Sequence, residues 1–380
     1  MDARLLAIAV GNFIAATGAF LVVGLLNEIS ADLGVSVAIA GLLAAAFAGS
    51  SALMAPAAAI LGTRISRRLL LVGSLSVNAF SALASAFAPT FGVLFALRML
   101  TGGTVGAYIP ASVSTAGMLM PVERRANAVF VVGLGASLGQ VIGVPAGVWL
   151  GGQFGWRFPF LVFGALGVAT CAFLWRAVPA TLRAATFDLK SWGELMRNRA
   201  ILATLAVTAL QGGAGFHTMS YVAPLLRERI GATPDTISLL LGLFGLSGAI
   251  ASLIAMRVMD RVGPTRLAML ALGAIALNFL IWPFTHGSVG LAALAIALWG
   301  AGFIVMASAQ QSRLVLLDPK LAPVSVAFNT TCVFGGSALG TTLGSITVQT
   351  AGLDNLPWVS LALVLAALVL LLATAPPRDV

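Results

Sequence analysis

The sequence predicts an all-α membrane protein with twelve transmembrane helices in two pseudo-symmetric six-helix bundles. Of its 380 residues, 59% are hydrophobic and only 9% are charged, and the mean hydropathy is +1.04. A soluble chain of this length cannot bury so much apolar surface, so lipid must surround much of it. The apolar runs are long and lack the short alternating segments of a transmembrane β-barrel. Helices are therefore expected, because they satisfy their backbone polar groups internally.

Twelve apolar stretches have about the 20 residues that a helix needs to cross the hydrocarbon core. In chain order, spans 1–12 are predicted at 5–26, 39–61, 69–88, 91–118, 126–151, 158–178, 200–222, 236–259, 264–285, 289–312, 323–351 and 356–375. The first run is long and no small-residue cleavage sequence follows it. We therefore expect it to be a retained helix and not a signal peptide.

The spans divide evenly around the longest polar stretch. We expect an N-terminal bundle at residues 1–178, a cytoplasmic linker at 179–199 and a C-terminal bundle at 200–380. In the linker, apolar residues fall on one face of a helix, at Leu189, Trp192 and Leu195. This pattern predicts a short helix lying at the membrane interface.

The net charge of +9 indicates orientation and not nucleic-acid binding. With cytoplasmic termini, only Arg157, Arg227 and Arg229 of the 21 basic residues fall in outer loops, while Arg98 falls inside a span. This distribution follows the positive-inside rule. We expect a multi-pass protein of a bacterial inner membrane, with both termini in the cytoplasm. We also expect a monomer that contacts membrane lipids and has no nucleic-acid partner.

The cysteine content and the motifs exclude several functions. Cys171 and Cys332 both fall inside spans, so the sequence predicts no disulfide framework, no metal site and no cofactor. A phosphate-binding loop of the GxxxxGK[ST] type is absent from the sequence, which argues against transport driven by ATP.

Glycine recurs at every fourth residue of span 5, at Gly135, Gly139, Gly143, Gly147 and Gly151. Residues four apart form one slowly winding stripe on a helix, and a glycine stripe lets a second backbone approach closely. Pro145 lies within the stripe, so we expect the helix to bend there. A smooth, bent helix would suit the seam between two bundles that rock against each other.

The second half of the chain repeats these features. Span 11 carries glycines at the same spacing, at Gly336, Gly340 and Gly344. The basic turn at 62–68 after span 2 has a counterpart at 259–266 after span 8. Repeated bundles are the arrangement of many secondary transporters, which bind substrate between the repeats at mid-membrane.

These motifs resemble the major facilitator superfamily, and within it the twelve-span drug:H⁺ antiporters and their sugar- and arabinose-efflux-like branch. The resemblance covers essentially the whole chain. Residues 139–151, GQVIGVPAGVWLG, are similar to the antiporter motif of span 5, and residues 155–160, GWRFPF, resemble the start of span 6. Residues 96–107, ALRMLTGGTVGA, resemble the span 4 motif around an intramembrane arginine, here Arg98. Asn329 and the glycines after it resemble span 11 of that branch.

The loop between spans 2 and 3 departs from the family pattern. Its arginines are retained, at Arg64, Arg67 and Arg68. Thr63, however, stands where the family has an acid that helps to latch the cytoplasmic side. The copy in the second half keeps Asp260 and Arg261. Without the acid, the first-half latch lacks its paired charge, and its arginines are candidates to bind anionic lipid headgroups.

The resemblance implies that spans 1, 4, 7 and 10 line a central cavity. Helical periodicity then selects candidate substrate-binding residues, namely Asn12, Phe20, Arg98, Thr101, Tyr108, Gln211, Met306 and Gln310. A cavity lined by aromatic and amide groups with almost no charge suits a neutral, partly hydrophobic small molecule. For Met306 and the phenylalanines, a role in the bundle core is the alternative.

Arg98 needs a partner, because an arginine inside a span costs at least about 2.5 kcal/mol on insertion scales. Glu28 and Asp32, just beyond the outer end of span 1, are the candidate partners. A purely structural arginine, bonded to helix carbonyls, is the alternative.

Proton coupling leaves three hypotheses open, because no acid falls in the middle of a span. Proton antiporters usually rely on a carboxylate or a histidine that takes up and releases a proton. The proton is carried by Glu28 or Asp32 near Arg98, or it is carried by His217 in span 7. The third hypothesis is a facilitator without coupling.

An intramembrane serine protease is a distant alternative. Residues 245–248, GLSG, match the GxSG of rhomboid-type proteases, which need a histidine bonded to the serine. His217 precedes Ser247, which is opposite to the rhomboid order, and a short match is expected by chance among 42 glycines. We therefore predict no enzyme. We predict a transporter that exports a small organic solute or drug by alternating access, exchanged for protons, with an uncoupled or differently coupled sugar or metabolite facilitator as the alternative.

Overall fold

The computed structural model describes residues 2–62, 64–121, 124–183 and 189–374. Within these ranges, twelve helices are long and apolar enough to cross a membrane, which confirms the all-α class and the number of spans. Spans 1–12 are formed by Ala3–Gly24, Val37–Leu61, Arg67–Ala86, Phe91–Leu119, Arg125–Leu138 continuing through Gly139–Gly143 to Val144–Phe154, Arg157–Ala177, Arg199–Met219, Pro234–Val262, Pro264–Ile281, Val289–Leu317, Ala322–Ala351 and Leu356–Thr374.

Polar residues begin many of these helices, as N-caps should. A side-chain oxygen accepts a hydrogen bond from a backbone amide of the first turn at Asp2, Ser66, Thr90, Asn198, Thr233 and Ser288. These bonds satisfy amides that have no partner inside the helix. Short polar residues between apolar runs therefore fix where several spans start.

Two short helices were not predicted. Leu26–Asp32 follows span 1 and Val222–Ile230 follows span 7. The backbone leaves the helical region at Leu25 (φ −108°, ψ 12°) and at Tyr221 (φ −118°, ψ 15°). Neither residue is a helix breaker by type, so sequence pattern alone gives no signal for these breaks. Their near-identical conformations place the same interruption after the first span of each half.

The chain divides into two compact units, residues 1–187 and 188–380. Part of the predicted linker, residues 184–188, lies outside the described residues. The helix Leu189–Arg197 packs against the second unit, where Leu195 is fully buried in an apolar cluster. The ring of Trp192 lies 5.1 Å from that of Phe328. The apolar face that suggested a membrane-interface helix is thus covered, at Trp192 and Leu195, by the protein.

Span 1 covers the glycine stripe of span 5. All five glycines of the stripe are buried. Their nearest neighbours are four residues apart along span 1 and the turn that follows it, at Ala9, Phe13, Thr17, Leu21 and Leu25. A Cβ on Gly139 would stand 2.6 Å from the carbonyl oxygen of Phe13, and one on Gly135 would overlap that of Ala9. The missing side chains let the two backbones touch, which strengthens helix association in lipid.

The irregular part of span 5 lies before the proline. Residues Gly139–Gly143 form a π-helical turn, in which the amide of Val144 donates to the carbonyl of Gly139. Pro145 has no amide hydrogen, and its ring crowds the carbonyl four residues earlier, so a wider turn there relieves the conflict. The hydroxyl of Thr17 in span 1 also donates to the Gly139 carbonyl, at 3.2 Å. The expected disturbance of the helix is thus a π turn anchored to span 1.

The second unit repeats this packing. Gly336, Gly340 and Gly344 of span 11 lie against the carbonyls of three residues four apart in span 7, which are Ala209, Gly213 and His217. A Cβ on Gly344 would stand 2.6 Å from the His217 oxygen. We had expected the glycine faces at the seam between the bundles. The structure instead covers each face within its own unit, because the glycines match the backbone of span 1 or span 7 turn by turn.

Gly340→Ala should destabilise the protein by about 1–3 kcal/mol, because the added methyl group overlaps the Gly213 carbonyl and overpacking costs this much. Gly273→Ala in span 9 is the matched control, because a Cβ there meets nothing within 4 Å. The control should be neutral or stabilising by up to about 1 kcal/mol. Denaturation of the purified variants in detergent measures both effects, and equal stability of the two variants would contradict this account of the packing.

Candidate functional site

Arg98 binds span 1 and not an acid. Its guanidinium donates to the carbonyl oxygens of Gly18 at 2.8 Å and Ala19 at 3.2 Å. It also lies 4.8 Å from the ring centre of Phe47, and only 1% of the residue is exposed. Among the described residues, these carbonyls are its acceptors, so the predicted pairing of Arg98 with Glu28 or Asp32 is not observed. This bonding is the alternative that the sequence left open, an arginine bonded to helix carbonyls.

Asn12 and Tyr108 join spans 1, 4 and 5. The amide of Asn12 donates to the carbonyl of Val132 at 3.0 Å, and its oxygen accepts from Ser112 at 2.9 Å. The hydroxyl of Tyr108 donates to the Ile8 carbonyl at 3.3 Å, in space that Gly11 leaves free. Asn12 and Tyr108 are each 1% exposed. The structure therefore brings these two predicted residues to one contact between helices.

Thr101 and Phe20 do not take part in the contact formed by Asn12 and Tyr108. The Thr101 hydroxyl lies 2.8 Å from that of Ser81 in span 3 and also donates to the Leu97 carbonyl. Thr101 is thus turned to span 3, although it is only three residues from Arg98. Phe20 is half-buried. The predicted binding residues of span 4 therefore contact two different helices, spans 1 and 3, because three residues along a helix do not complete one turn.

Gln310 organises a polar network in the second unit. Its amide nitrogen donates to the Thr204 carbonyl at 2.9 Å and to the Thr208 hydroxyl at 3.0 Å, while its oxygen accepts from Arg313 at 2.7 Å. Thr208 in turn donates to Asn329 at 2.7 Å. Sequence reasoning had placed Arg313 in a cytoplasmic segment, yet it is 5% exposed and inside span 10. Its position three residues after Gln310 was the available signal.

The second unit also contains Met306, Gln211 and an aromatic cluster. Met306 is fully buried and Gln211 is 4% exposed. On span 10, the ring of Trp299 lies 5.8 Å from that of Phe244, which in turn lies 6.1 Å from that of Phe303. The aromatic rings of span 10 therefore form part of the packing of the unit.

Both ring nitrogens of His217 are bonded. Nδ1 lies 3.0 Å from the Ser360 hydroxyl and Nε2 lies 3.0 Å from the Thr347 hydroxyl. Ser360 also lies 2.7 Å from Thr218. His217 is fully buried in the last turn of span 7. Hydroxyls surround it, and each can donate or accept.

Asp32 is held by the loop before span 6. It accepts hydrogen bonds from the guanidinium of Arg157 and from the indole of Trp156 at 3.2 Å. The bond from Arg157 is the main cause that holds the pKa of Asp32 below its usual value. A carboxyl held ionised in this way is poorly suited to pick up a proton near neutral pH. Glu28 lies half-buried in the same short helix.

The arginines after span 2 bond within the first unit. Arg67 donates to Ser114 at 3.1 Å, and Arg68 donates to the Val178 carbonyl at 2.6 Å. Arg64 is exposed. In the second-half copy, Arg261 is exposed and the side chain of Asp260 lies outside the described residues. Two of the three retained arginines therefore tie span 3 to spans 4 and 6.

A cavity of about 650 Å³ lies among spans 2, 3 and 4. Its lining is almost wholly apolar, and Leu53 and Met99 in its wall are well exposed. None of the predicted substrate-binding residues line it. The cavity is therefore separate from the polar contacts described above.

The GLSG sequence of span 8 forms part of a packing contact with span 10. The Ser247 hydroxyl donates to the Phe244 carbonyl at 3.0 Å and lies against Gly300. Ser50 does the same in the first unit, donating to the Phe47 carbonyl at 3.0 Å against Gly102. The ring nitrogens of His217 bind Ser360 and Thr347, and within the described residues no histidine is bonded to Ser247. The protease alternative is wrong, because this serine fills a repeated helix contact.

Two repeated six-span units with polar groups buried inside the spans define a multi-pass membrane protein of the kind that carries solutes. The model of the Major Facilitator Superfamily matches residues 8–341, and a second match covers 228–380. The chain therefore belongs to the major facilitator superfamily, and the resemblance found in its motifs is confirmed.

Relatives and solved structures agree with this assignment. The chain is 30% identical to the inner membrane transport protein YdhP of Escherichia coli (strain K12), over 98% of this chain and 96% of that protein. It is 26% identical to a probable sugar efflux transporter of Mannheimia succiniciproducens, over 95% and 90%. A mutant of the nucleoside transporter NupG has the same fold, with a TM-score of 0.81 at 13% identity, covering 98% and 100%. These proteins are transporters and not enzymes.

Arg98→Ala should abolish transport while the protein still reaches the membrane, because the tie between spans 4 and 1 is lost. Arg98→Lys keeps the charge but has one nitrogen for two carbonyls, so intermediate transport is expected. Solute export from cells, with membrane content measured by immunoblot, tests both variants. Arg4→Ala, at an exposed residue, is the control. Normal export by Arg98→Ala would refute a role in transport.

Asp32→Asn should lower stability at pH 7 by about 0.2–1 kcal/mol, the range for exposed ion pairs. The pKa of Asp32 is lower in the folded state than in the unfolded state, so its ionised carboxylate stabilises the fold at any pH above the unfolded pKa. That stabilisation is lost as the pH falls through the folded pKa. The gap to the wild type should therefore close below about pH 4. Unfolding in detergent from pH 7 to pH 3 measures it, with exposed Glu228→Gln as control. A gap independent of pH would contradict the prediction.

Proposed function

We propose that this protein exports a small organic solute from a bacterial cell in exchange for protons, by alternating access. Membership of the superfamily supports secondary transport, and names of relatives include probable sugar efflux transporters. The observation that carries the proton exchange is the bonding of His217, the buried titratable group in the membrane-spanning part with a partner at each of its two exchangeable positions.

The network around His217 suits both of its protonation states. Thr347 gives its own hydrogen to the Leu343 carbonyl at 3.0 Å, so its oxygen accepts from Nε2–H. Nδ1 of the neutral ring then accepts from Ser360, which accepts from Thr218. When Nδ1 gains a proton, Ser360 rotates to accept it and donates to Thr218 instead. Uptake of the proton therefore needs hydroxyl rotation and no new partner.

The other coupling candidates receive less support. Asp32 is engaged by Arg157 and Trp156, and Arg98 is engaged by span 1 carbonyls. Neither arrangement offers an open position for a proton at neutral pH. We therefore assign the proton to His217 ahead of Asp32 and Arg98, with Glu28 as the next candidate.

A sugar or related metabolite is the first choice of substrate, and a drug the second. The 26% identical relative named as a probable sugar efflux transporter supports this order. An uncoupled sugar facilitator is the second candidate function, favoured by the lack of any acid in the middle of a span.

We further propose an inner-membrane location with both termini in the cytoplasm, as a monomer. The basic residues concentrated on one side support the orientation, and the exposed Arg64 and Arg261 on that side are placed to meet anionic lipid headgroups. The glycine contacts of spans 5 and 11 would keep each unit rigid while the units move.

Proton coupling is tested with purified protein in liposomes that contain a pH-sensitive dye. A solute found by a toxicity screen of a deletion strain is added, with and without a pH gradient. Coupled transport predicts that the solute moves protons, and that a gradient accelerates solute flux. Identical fluxes with and without the gradient would leave the uncoupled facilitator as the function.

His217→Gln should remove proton movement, because glutamine can bond Ser360 and Thr347 but does not titrate at neutral pH. Downhill solute flux should persist. His286→Gln, in an exposed outer turn, is the control and should remain coupled. Full proton movement in the His217→Gln variant would show that a group other than His217 carries the proton.

A further inference from the structure

Several buried hydrogen-bond donors in the second unit lack an acceptor among the described residues. Two of them are the amide nitrogen of Gln211 in span 7 and the indole nitrogen of Trp299 in span 10. Gln211 is 4% exposed and Trp299 is 1% exposed. Buried donors without acceptors are rare and costly, so each calls for an explanation.

The indole of Trp299 lies beside span 7, about one helical turn from Gln211. Gly215 follows Gln211 by about one helical turn. A Cβ on Gly215 would stand 4.0 Å from the Trp299 nitrogen and 3.0 Å from the Phe303 ring. Because Gly215 has no side chain, the indole N–H is left facing span 7, on the side of the helix where Gln211 lies.

Aromatic rings surround this contact. The ring of Trp299 lies 5.5 Å from that of Phe279, and the ring of Phe303 lies 6.1 Å from that of Phe216. These rings exclude other polar partners and present flat apolar surface. A site with a few polar groups among aromatic side chains is typical of small-molecule recognition.

Negative charge is lacking in this setting. In the described spans, acids occur only near the ends, at Asp235 and Asp260 of span 8, and none lies in the middle of a span. A cation brought beside Gln211 and Trp299 would meet two N–H groups, whose positive ends repel it, whereas buried Arg98 is held by carbonyl oxygens. An uncharged molecule with oxygen acceptors would instead satisfy both donors.

We propose that Gln211 and Trp299 donate hydrogen bonds to an uncharged, ring-containing solute through its hydroxyl, ether or carbonyl oxygens, and that this site rejects lipophilic cations. The assignment rests on the proposed export function and narrows its substrate class. It favours a sugar-like or other neutral polyoxygenated solute over the cationic drugs. It also adds Trp299 to the candidate binding residues.

Binding of a compound panel to the purified full-length protein tests the proposal. The panel contains neutral glycosides such as phenyl β-D-glucoside, neutral lactones, and lipophilic cations such as tetraphenylphosphonium, matched in size. Ligands are detected by thermal shift, and dissociation constants are measured by equilibrium dialysis. Neutral oxygen-rich compounds should bind, and the cations should neither bind nor compete.

The variants then remove one donor each. Trp299→Phe keeps the ring without the N–H, and Gln211→Asn withdraws the amide by one methylene. Each should weaken binding of the neutral ligands about tenfold, the typical effect of one lost hydrogen bond. Trp358→Phe in span 12, where the indole is 49% exposed, is the control and should bind as the wild type. The melting temperature of each variant without ligand verifies that it is folded.

Three outcomes would overturn the assignment. These are preferential binding of cations, unchanged affinity in both folded variants, or a panel in which no neutral oxygen-rich compound binds. Binding does not require transport, so the result is independent of the liposome assay. A protein that binds as expected but moves no ligand would refute the export function alone, whereas export of a cation would refute this substrate class alone.

Discussion

Direct contact between a glycine and the backbone of a neighbouring helix is the interaction on which each unit depends. In lipid, burying a leucine against another leucine gains little, because the hydrocarbon tails are equally apolar. Helices must therefore associate through close approach. Span 5 meets span 1 at glycines spaced one turn apart, and span 11 meets span 7 in the same way. Gly102 and Gly300 repeat the contact between spans 2 and 4 and between spans 8 and 10.

This close approach also explains how polar side chains are satisfied inside the spans. Arg98, Asn12 and Thr17 each donate to a carbonyl of a neighbouring helix, at Gly18, Val132 and Gly139 respectively. Such carbonyls already accept a bond within their own helix, and their second lone pair becomes reachable only where the helices nearly touch. Packing by small residues and satisfaction of polar groups are therefore one arrangement and not two. An arginine needs no acid in this setting.

The fold was largely predictable, but the partners of its residues were not. Composition and run length gave the twelve spans because the bilayer sets both. The glycine stripe predicted that the backbone of another helix packs closely against span 5. Periodicity is a property of one helix, however, and does not indicate which helix packs against it. For the same reason periodicity could not choose between an acid and helix carbonyls as the partner of Arg98, and Arg313 was placed beyond the end of span 10 although the helix continues to Leu317. The break at Leu25 has no helix-breaking residue, so the local sequence gave no signal for it.

The spacing of the glycines limits how the helices of a unit can move. A slip of one residue between spans 1 and 5 would bring Leu134 or Ala136 to the Ala9 carbonyl that Gly135 now meets. Only a slip of four residues, about 6 Å, would restore glycine to every contact. Sliding within a unit is therefore blocked in small steps, whereas a unit that moves as a whole keeps every contact. The proposed alternating access would therefore move each unit as a rigid body, and the same glycines that allow packing would impose that rigidity.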